Sequence, residues 1–259
     1  MLLVIDVGNT NTVIGVYENA ELLTSWRLTT ERNRTVDEYG ILFRNLFTLA
    51  GMDSGGIDAV AISSVVPPLN FTLEKMSQVY FGRVPLFVDQ SSDTGMTIRY
   101  SPPTDVGADR IVNSVAAIER YGAPCIVVDF GTATTFDAIT AEREYIGGVI
   151  TPGITISAEA LFQRAARLYR VEIRRPEQII GQHTIGSVQS GLYYGYIGLV
   201  DGILKRMIAE LGGHVRVIAT GGLAKLIGRG SEYIEEIDEN LTLEGLRLIY
   251  QKSQRKSSA

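Results

Sequence analysis

The chain has 259 residues, 45% hydrophobic and 20% charged, with a formal net charge of -5. That length supports a substantial core in one large or two ordinary domains, and the composition excludes a disordered chain. The acidic balance leaves no electrostatic footprint for nucleic acid, and the apolar runs are of strand rather than membrane-span length. MLLVID lacks the features of a secretory leader, and Cys125, the single cysteine, allows no internal disulfide. The expectation is a cytoplasmic protein with neither nucleic-acid nor membrane partners.

LLVID and TVIGVYE predict two strands joined by the Gly8-Asn9-Thr10 turn, and LLTSWRL predicts a third after Asn19. Thr35 and Glu38 have capping-box spacing, and Tyr39, Leu42, Phe43, Leu46 and Leu49 then recur at helical period until Gly51. IDAVAISSV reads as a buried strand stopped by Pro67 and Pro68, followed by a helix in LNFTLEKMSQVYF and a strand in VPLFV. Strands alternating with helices imply parallel pairing behind the antiparallel meander. DRIVNSVAAIERYG carries Ile111, Val115 and Ile118 at helical spacing and ends before Pro124, which marks the expected boundary between domains 1–123 and 124–259.

VIDVGNTNTVIGV at 4–16 aligns without gaps on VVDFGTATTFDAI at 127–139. Val4 meets Val127, Asp6 meets Asp129, Gly8 meets Gly131 and Thr12 meets Thr135, so the chain contains the same half twice. The second half continues with a strand in REYIGGVI, a helix over ITISAEALFQRAARL, a polar loop through His183 and a long helix from about Ser187 to Leu211. VRVIATGGLAKLI reads as strand, glycine turn and helix, LTLEGLRLIYQKSQ as a last helix, and the tail QKSQRKSSA as polar and frayed.

Gly8 and Gly131 suit tight turns with positive φ, whose N–H and hydroxyl groups form a concavity for phosphate oxygens. Asp6 and Asp129, just before the turns, are placed to meet a cation that accompanies the phosphate; equally, such carboxylates stabilise turns through Asx-type hydrogen bonds. Neither a P-loop nor a Rossmann fingerprint is present, so the phosphate site is of another kind. RYSPPTDVGADRIVN then runs a rigid polar loop into a helix N-terminus, which suits an anionic small molecule. Arg110 has the planar fork for a carboxylate, and Asp109 is either the acceptor of a hydroxyl proton or the cap of a helix starting at Arg110.

The remaining polar features read as structure. The basic run Arg164, Arg167, Arg170, Arg174 and Arg175 is a solvated helix face and its exit, and His183 and His214 are loop and surface residues. Tyr193, Tyr194 and Tyr196, flanked by Gly191, Gly195 and Gly198, suggest close helix packing, within the chain or at a dimer contact, rather than a ligand platform. Two histidines and one distant cysteine make no zinc site.

D-x-G-N-T on the first hairpin, D-F-G-T on the second and the late pair Gly221-Gly222 resemble the actin, sugar kinase and Hsp70 superfamily of ATP-binding proteins. The resemblance implies an α/β fold of duplicated ribonuclease H-like, actin-like halves: mixed sheets in which a three-stranded antiparallel meander leads into parallel strands, with helices on both faces. With G-A-D-R, V-D-F-G-T-A-T-T, I-x-P-G and S-x-Q-S-G-x-x-Y-G in order, the chain from Asp6 to Leu246 resembles the type III pantothenate kinases.

That resemblance implies ATP-dependent phosphorylation of pantothenate, the first step of coenzyme A synthesis, by a homodimer. It assigns ATP phosphates to Asp6, Val7, Gly8, Asn9, Thr10, Asn11, Thr12, Val13 and Thr132. It assigns pantothenate to Tyr100, Gly107, Ala108, Asp109, Arg110 and Thr184, with Asp109 as proton acceptor and Thr184 reaching across the dimer. Magnesium is expected near Asp6 through water, and potassium or ammonium at Asp129. The family commonly has Asn where His183 stands before Thr184. A transcriptional accessory factor of the same fold is the alternative, since similar sequences have been described so.

Overall fold

Alternating apolar residues in the first thirty positions form the meander, β1 (Leu2–Val7), β2 (Asn11–Glu18) and β3 (Glu21–Thr29). The computed structural model describes residues 1–165 and 167–257. β4 (Ala59–Ser64) and β5 (Leu86–Phe87) complete a sheet of order β3-β2-β1-β4-β5, antiparallel through the meander and parallel from β1 to β5. A further two-residue strand, β6, covers Thr97–Ile98.

The capping box places helix α1 (Val36–Leu49) as expected: Glu38 N–H donates to the Thr35 hydroxyl at 3.3 Å, and Thr35 N–H donates to the Glu38 carboxylate at 2.7 Å. Helix α2 (Pro67–Met76) begins at the prolines that end the strand run, because proline at the first helical positions has no N–H to leave unsatisfied. A wider π turn, Ser77–Phe81, finishes it. α1 and α2 bury one sheet face, where Leu3, Ile5, Val7 and Ile62 meet Tyr39, Phe43, Phe47, Leu69 and Leu73.

The other face is covered by α7 (Leu241–Ser257), against which α3 (Ala108–Tyr121) packs. A Cβ on Gly15 would stand 3.0 Å from Leu243, and one on Gly245 would stand 2.1 Å from the Val112 carbonyl oxygen. The glycine in L-T-L-E-G-L therefore lets α7 press its backbone against α3. α7 continues through Ser257, so the tail expected to fray is helical that far; residues 258 and 259 lie outside the described residues.

The second half repeats the plan. β7 (Cys125–Phe130), β8 (Ala133–Ile139), β9 (Glu144–Pro152), β10 (Arg216–Thr220) and β11 (Glu236–Ile237) run in the order β9-β8-β7-β10-β11, with β10 parallel to both β7 and β11. Helix α4 (Ile154–Arg164) is shorter than the predicted span, since Ala165 turns extended; Ala166 lies outside the described residues. α5 (Thr184–Leu211) buries Tyr193, Tyr196, Val200 and Leu204 against Val128, Phe130 and Phe136, and α6 spans Ala224–Gly228.

The sequence led to an expected boundary at 123/124, whereas the compact units comprise residues 1–116 with 241 onward, and 117–240, because α7 returns to the first sheet. The fold is α/β, with duplicated ribonuclease H-like halves. Among the described residues, no helix is long and apolar enough to cross a membrane.

Candidate active site

The first hairpin is held by backbone and threonine contacts. Gly8 N–H donates to Asn11 O at 2.9 Å, Thr30 N–H to Thr10 O at 2.9 Å, and the Thr30 hydroxyl to Gly8 O at 2.7 Å. Asn9 and Thr10 are exposed at the tip, and Asn9 accepts from Arg32 at 2.9 Å. Val7 is core, and Thr12 is 1% exposed with its hydroxyl 2.9 Å from that of Thr30. Asp6 and Val13 are half-buried where the strands meet the turn. Of the eight positions from 6 to 13, Val7 and Thr12 can thus meet a ligand only through their backbone.

Gly8 and Gly131 are not among the positive-φ glycines, contrary to expectation. Their need is steric. A Cβ would stand 3.0 Å from Asn11 O at Gly8 and 3.3 Å from Ala133 O at Gly131, the same carbonyls that accept their N–H groups. The gapless repeat also fails by one residue past the glycine. Val7 pairs with Thr12 in the first hairpin but Phe130 with Thr134 in the second, whose turn is one residue shorter. Thr12 therefore corresponds to Thr134, not Thr135, and both are 1% exposed.

Beside the first hairpin, the chain leaving β4 is tied to the end of β1 by a Val65 N–H to Val7 O bond of 3.1 Å. A Cβ on Gly107 would lie 3.4 Å from Val65 and 2.5 Å from a carboxylate oxygen of Asp109. The G-A-D-R turn therefore rests on the C-terminal ends of β1 and β4, where open sheets with parallel strands gather ligands. Glycine at 107 leaves room for the Asp109 carboxyl to fold back. Helix α3 begins at Ala108, two residues earlier than the cap reading required, and Gly107 O accepts from Ile111 N–H at 3.2 Å.

Asp109 sits inside the first turn, its Oδ1 accepting from Arg110 N–H at 2.8 Å. The residue is only half-buried overall, but its carboxyl is hemmed in closely enough that burial raises its pKa, outweighing the Arg110 N–H and guanidinium that lower it. Helix capping alone would have lowered it. Arg110 is 7% exposed, so any anion it holds meets a largely desolvated guanidinium. Tyr100 is half-buried in the loop leading to this turn.

In the second unit Asp129 is half-buried at the end of β7, and Thr132 is exposed in the turn. Gly153 N–H donates to Thr132 O at 3.1 Å, and a Cβ on Gly153 would stand 2.3 Å from that oxygen. Tyr196 from α5 donates to the Thr134 hydroxyl at 2.6 Å and reaches Pro152 O at 3.1 Å, so this threonine is engaged inside the core rather than offered to a ligand. A Cβ on Gly221, after β10, would stand 2.5 Å from an Asp129 carboxylate oxygen. The first glycine of the late pair thus leaves room for the strand-end carboxylate, while a Cβ on Gly222 would meet nothing within 4 Å.

Thr184 lies apart from this turn. It is exposed at the start of α5 and lines a cavity of about 680 Å3 with Leu161, His183, Ser187 and Leu192, and neither Asp129 nor Thr132 lines it. His183 caps the helix, its Nδ1 accepting from Gly186 N–H at 3.0 Å.

A family model described as type III pantothenate kinase matches residues 2–206. A protein of that description from Koribacter versatilis is 57% identical, covering 98% of this chain and 96% of the relative. The chain belongs to the type III pantothenate kinase family. Among solved structures, a Campylobacter jejuni protein described as a Baf family transcriptional activator aligns with a TM-score of 0.61 at 18% identity over 98% of this chain and 99% of that one. MreB 5 of Spiroplasma citri, bound to AMPPNP, aligns with a TM-score of 0.57 at 10% identity over 99% and 98%. Identities this low carry the fold alone, so the regulatory description of the former stays with that protein.

A type III pantothenate kinase brings a metal question with its nucleotide. Among the described residues, no group of three or more His, Cys, Asp and Glu could hold an ion, so a cage built of such side chains is absent. Single carboxylates at strand ends, beside exposed turns, fit a cation that keeps several waters and is carried on phosphate oxygens. The sequence does not reveal Thr30 as a tie of the first hairpin, Gly153 as the prop of Thr132, or the bond from Tyr196, expected only to pack, to Thr134. Of these only Gly153 left a local signal, the I-x-P-G run at the foot of a helix.

Proposed function

We propose that this protein transfers the γ-phosphoryl group of ATP to the primary hydroxyl of pantothenate, giving 4'-phosphopantothenate at the first step of coenzyme A synthesis. The observation that carries this reading is the seating of the Gly107–Arg110 turn on the ends of β1 and β4, beside the first hairpin, in a chain of this family.

Asp109 accepts the hydroxyl proton. With Oδ1 engaged by the Arg110 N–H, Oδ2 is the oxygen left for substrate, and a pKa raised by burial makes it a stronger base than an exposed carboxylate. Phosphoryl transfer asks chiefly for positioning and charge stabilisation, so the orientation of this carboxyl matters as much as its basicity. Arg110 clamps the pantothenate carboxylate, with Tyr100, Gly107 and Ala108 forming the rest of the binding loop.

The turn donors of Asp6 through Val13, and Thr132, bind the ATP phosphates. Asp6 faces magnesium through water and Asp129 holds potassium or ammonium; bound cations would neutralise charge on the phosphate oxygens. The protein acts as a cytoplasmic homodimer in which Thr184 completes the pantothenate site of the partner. A coupled assay with ATP and pantothenate, in potassium or with sodium replacing it, tests the reading. Turnover that needs both substrates and runs faster in potassium is expected, and no turnover under any cation rejects it.

A further inference from the structure

We propose that Ser63 is a positioning residue of the first phosphate hairpin, its hydroxyl holding the buried oxygen of the Asp6 carboxylate when a magnesium nucleotide is bound. Ser63 is 0% exposed, and its Oγ has no hydrogen-bond partner among the described residues. A buried hydroxyl left in that state opposes folding, so its presence calls for a function. The neighbouring Ser64 is accounted for, its Oγ accepting from Val66 N–H at 3.2 Å where the chain leaves the strand.

Register supplies the partner. Ser63 stands opposite Asp6 in the parallel β1–β4 pair, so both side chains leave the same face of the sheet on strands about 4.8 Å apart. Asp6 Oδ1 is itself buried on that face. One rotation about the serine Cα–Cβ bond changes where the hydroxyl points without moving the backbone. A carboxylate fixed through one oxygen presents the other in a single direction, which is how groups behind a ligand tune a metal site.

The second unit repeats the pairing. Thr220, 1% exposed, stands opposite Asp129 in the parallel β7–β10 pair. Each of the two repeated aspartates thus has a buried hydroxyl residue across the parallel strand, at the same register position of the equivalent strand. One-dimensional alignment of the hairpins never reaches these residues.

The assignment rests on the nucleotide reading above, and its test does not require phosphoryl transfer. Binding of ADP to the full chain is measured by calorimetry with magnesium and with EDTA, alongside the Tm of the free protein. Ser63→Ala is expected to weaken magnesium-ADP binding about tenfold, to show wild-type affinity in EDTA, and to leave the free protein's Tm unchanged or higher. Ser63→Thr, which keeps the hydroxyl, is expected to recover most of the loss. Wild-type affinity in Ser63→Ala, a defect that persists in EDTA, or a lowered free-protein Tm with no recovery in Ser63→Thr would each overturn the assignment. A wild type that binds magnesium-ADP in this Ser63-dependent way but leaves pantothenate untouched would overturn the substrate reading while supporting the role of Ser63.

Discussion

Burial holds the pKa of Asp109 above its ordinary value despite the Arg110 N–H and guanidinium beside it, so the ionised form is the costly one in the folded chain. A raised folded-state pKa means that the group's contribution is fully present below the unfolded value and is lost as pH rises through the folded one. Asp109→Asn removes the charge without changing the shape. Its Tm should therefore exceed wild type at neutral pH, with the difference shrinking as pH falls toward the ordinary carboxylate range, while turnover falls by about 10²–10⁴. A variant with wild-type turnover would leave Asp109 only its helix contact. Gly153 makes a second case. At φ -64 and ψ 154 it could be alanine without backbone strain, but a Cβ would stand 2.3 Å from Thr132 O. Gly153→Ala must push the second hairpin away at a cost of about 1–3 kcal/mol, and should raise the KM for ATP more than that for pantothenate. Equal effects on both constants would show that the displacement does not reach the phosphate turn.

Helix α5 is an element whose start the sequence misplaces by three residues, and the reason is chemical. Thr184, Ile185 and Gly186 are indifferent helix formers, and histidine is outside the usual capping set of Ser, Thr, Asp and Asn. Its Nδ1 nevertheless accepts the Gly186 N–H at 3.0 Å, as an asparagine oxygen at that position could. His183→Asn should therefore keep stability and the KM for pantothenate, whereas His183→Ala should lose about 1 kcal/mol on thermal or denaturant unfolding and raise that KM, since Thr184 opens the helix. A shift in stability alone would confine His183 to the fold. By contrast the Thr35–Glu38 box located α1 to the residue, because that signal is wholly local. Pairing across strands is not local. The one-residue slip that sets Thr12 against Thr134, the two-residue β11 and the partnership of Ser63 with Asp6 all follow from register, which a linear reading does not contain.

At the scale of the whole molecule, the shared strand order of the two sheets was legible because the sequence kept Asp and Gly in step at the tips of two apolar hairpins. The return of α7 to the first sheet was not, since its apolar face would suit either half. α5 carries a further message about assembly. Its tyrosines turn inward, but a Cβ on Gly191, Gly195 or Gly198 would meet nothing within 4 Å, and Ile185 and Leu199 on the same helix are 48% and 36% exposed. Among the described residues nothing packs on these glycines, which leaves a face suited to a second copy in a symmetric dimer. If Thr184 serves the partner's pantothenate, two defective chains can complement each other. In a heterodimer of Asp109→Asn with Thr184→Ala, one site joins the intact Asp109 of the second chain to the intact Thr184 of the first, and the other site lacks both. A heterodimer purified through two different tags and assayed at limiting pantothenate should then recover roughly half of wild-type activity, well above either mutant homodimer. If Thr184 instead acts within its own chain, neither site is intact, and the heterodimer can reach only the mean of the two homodimers.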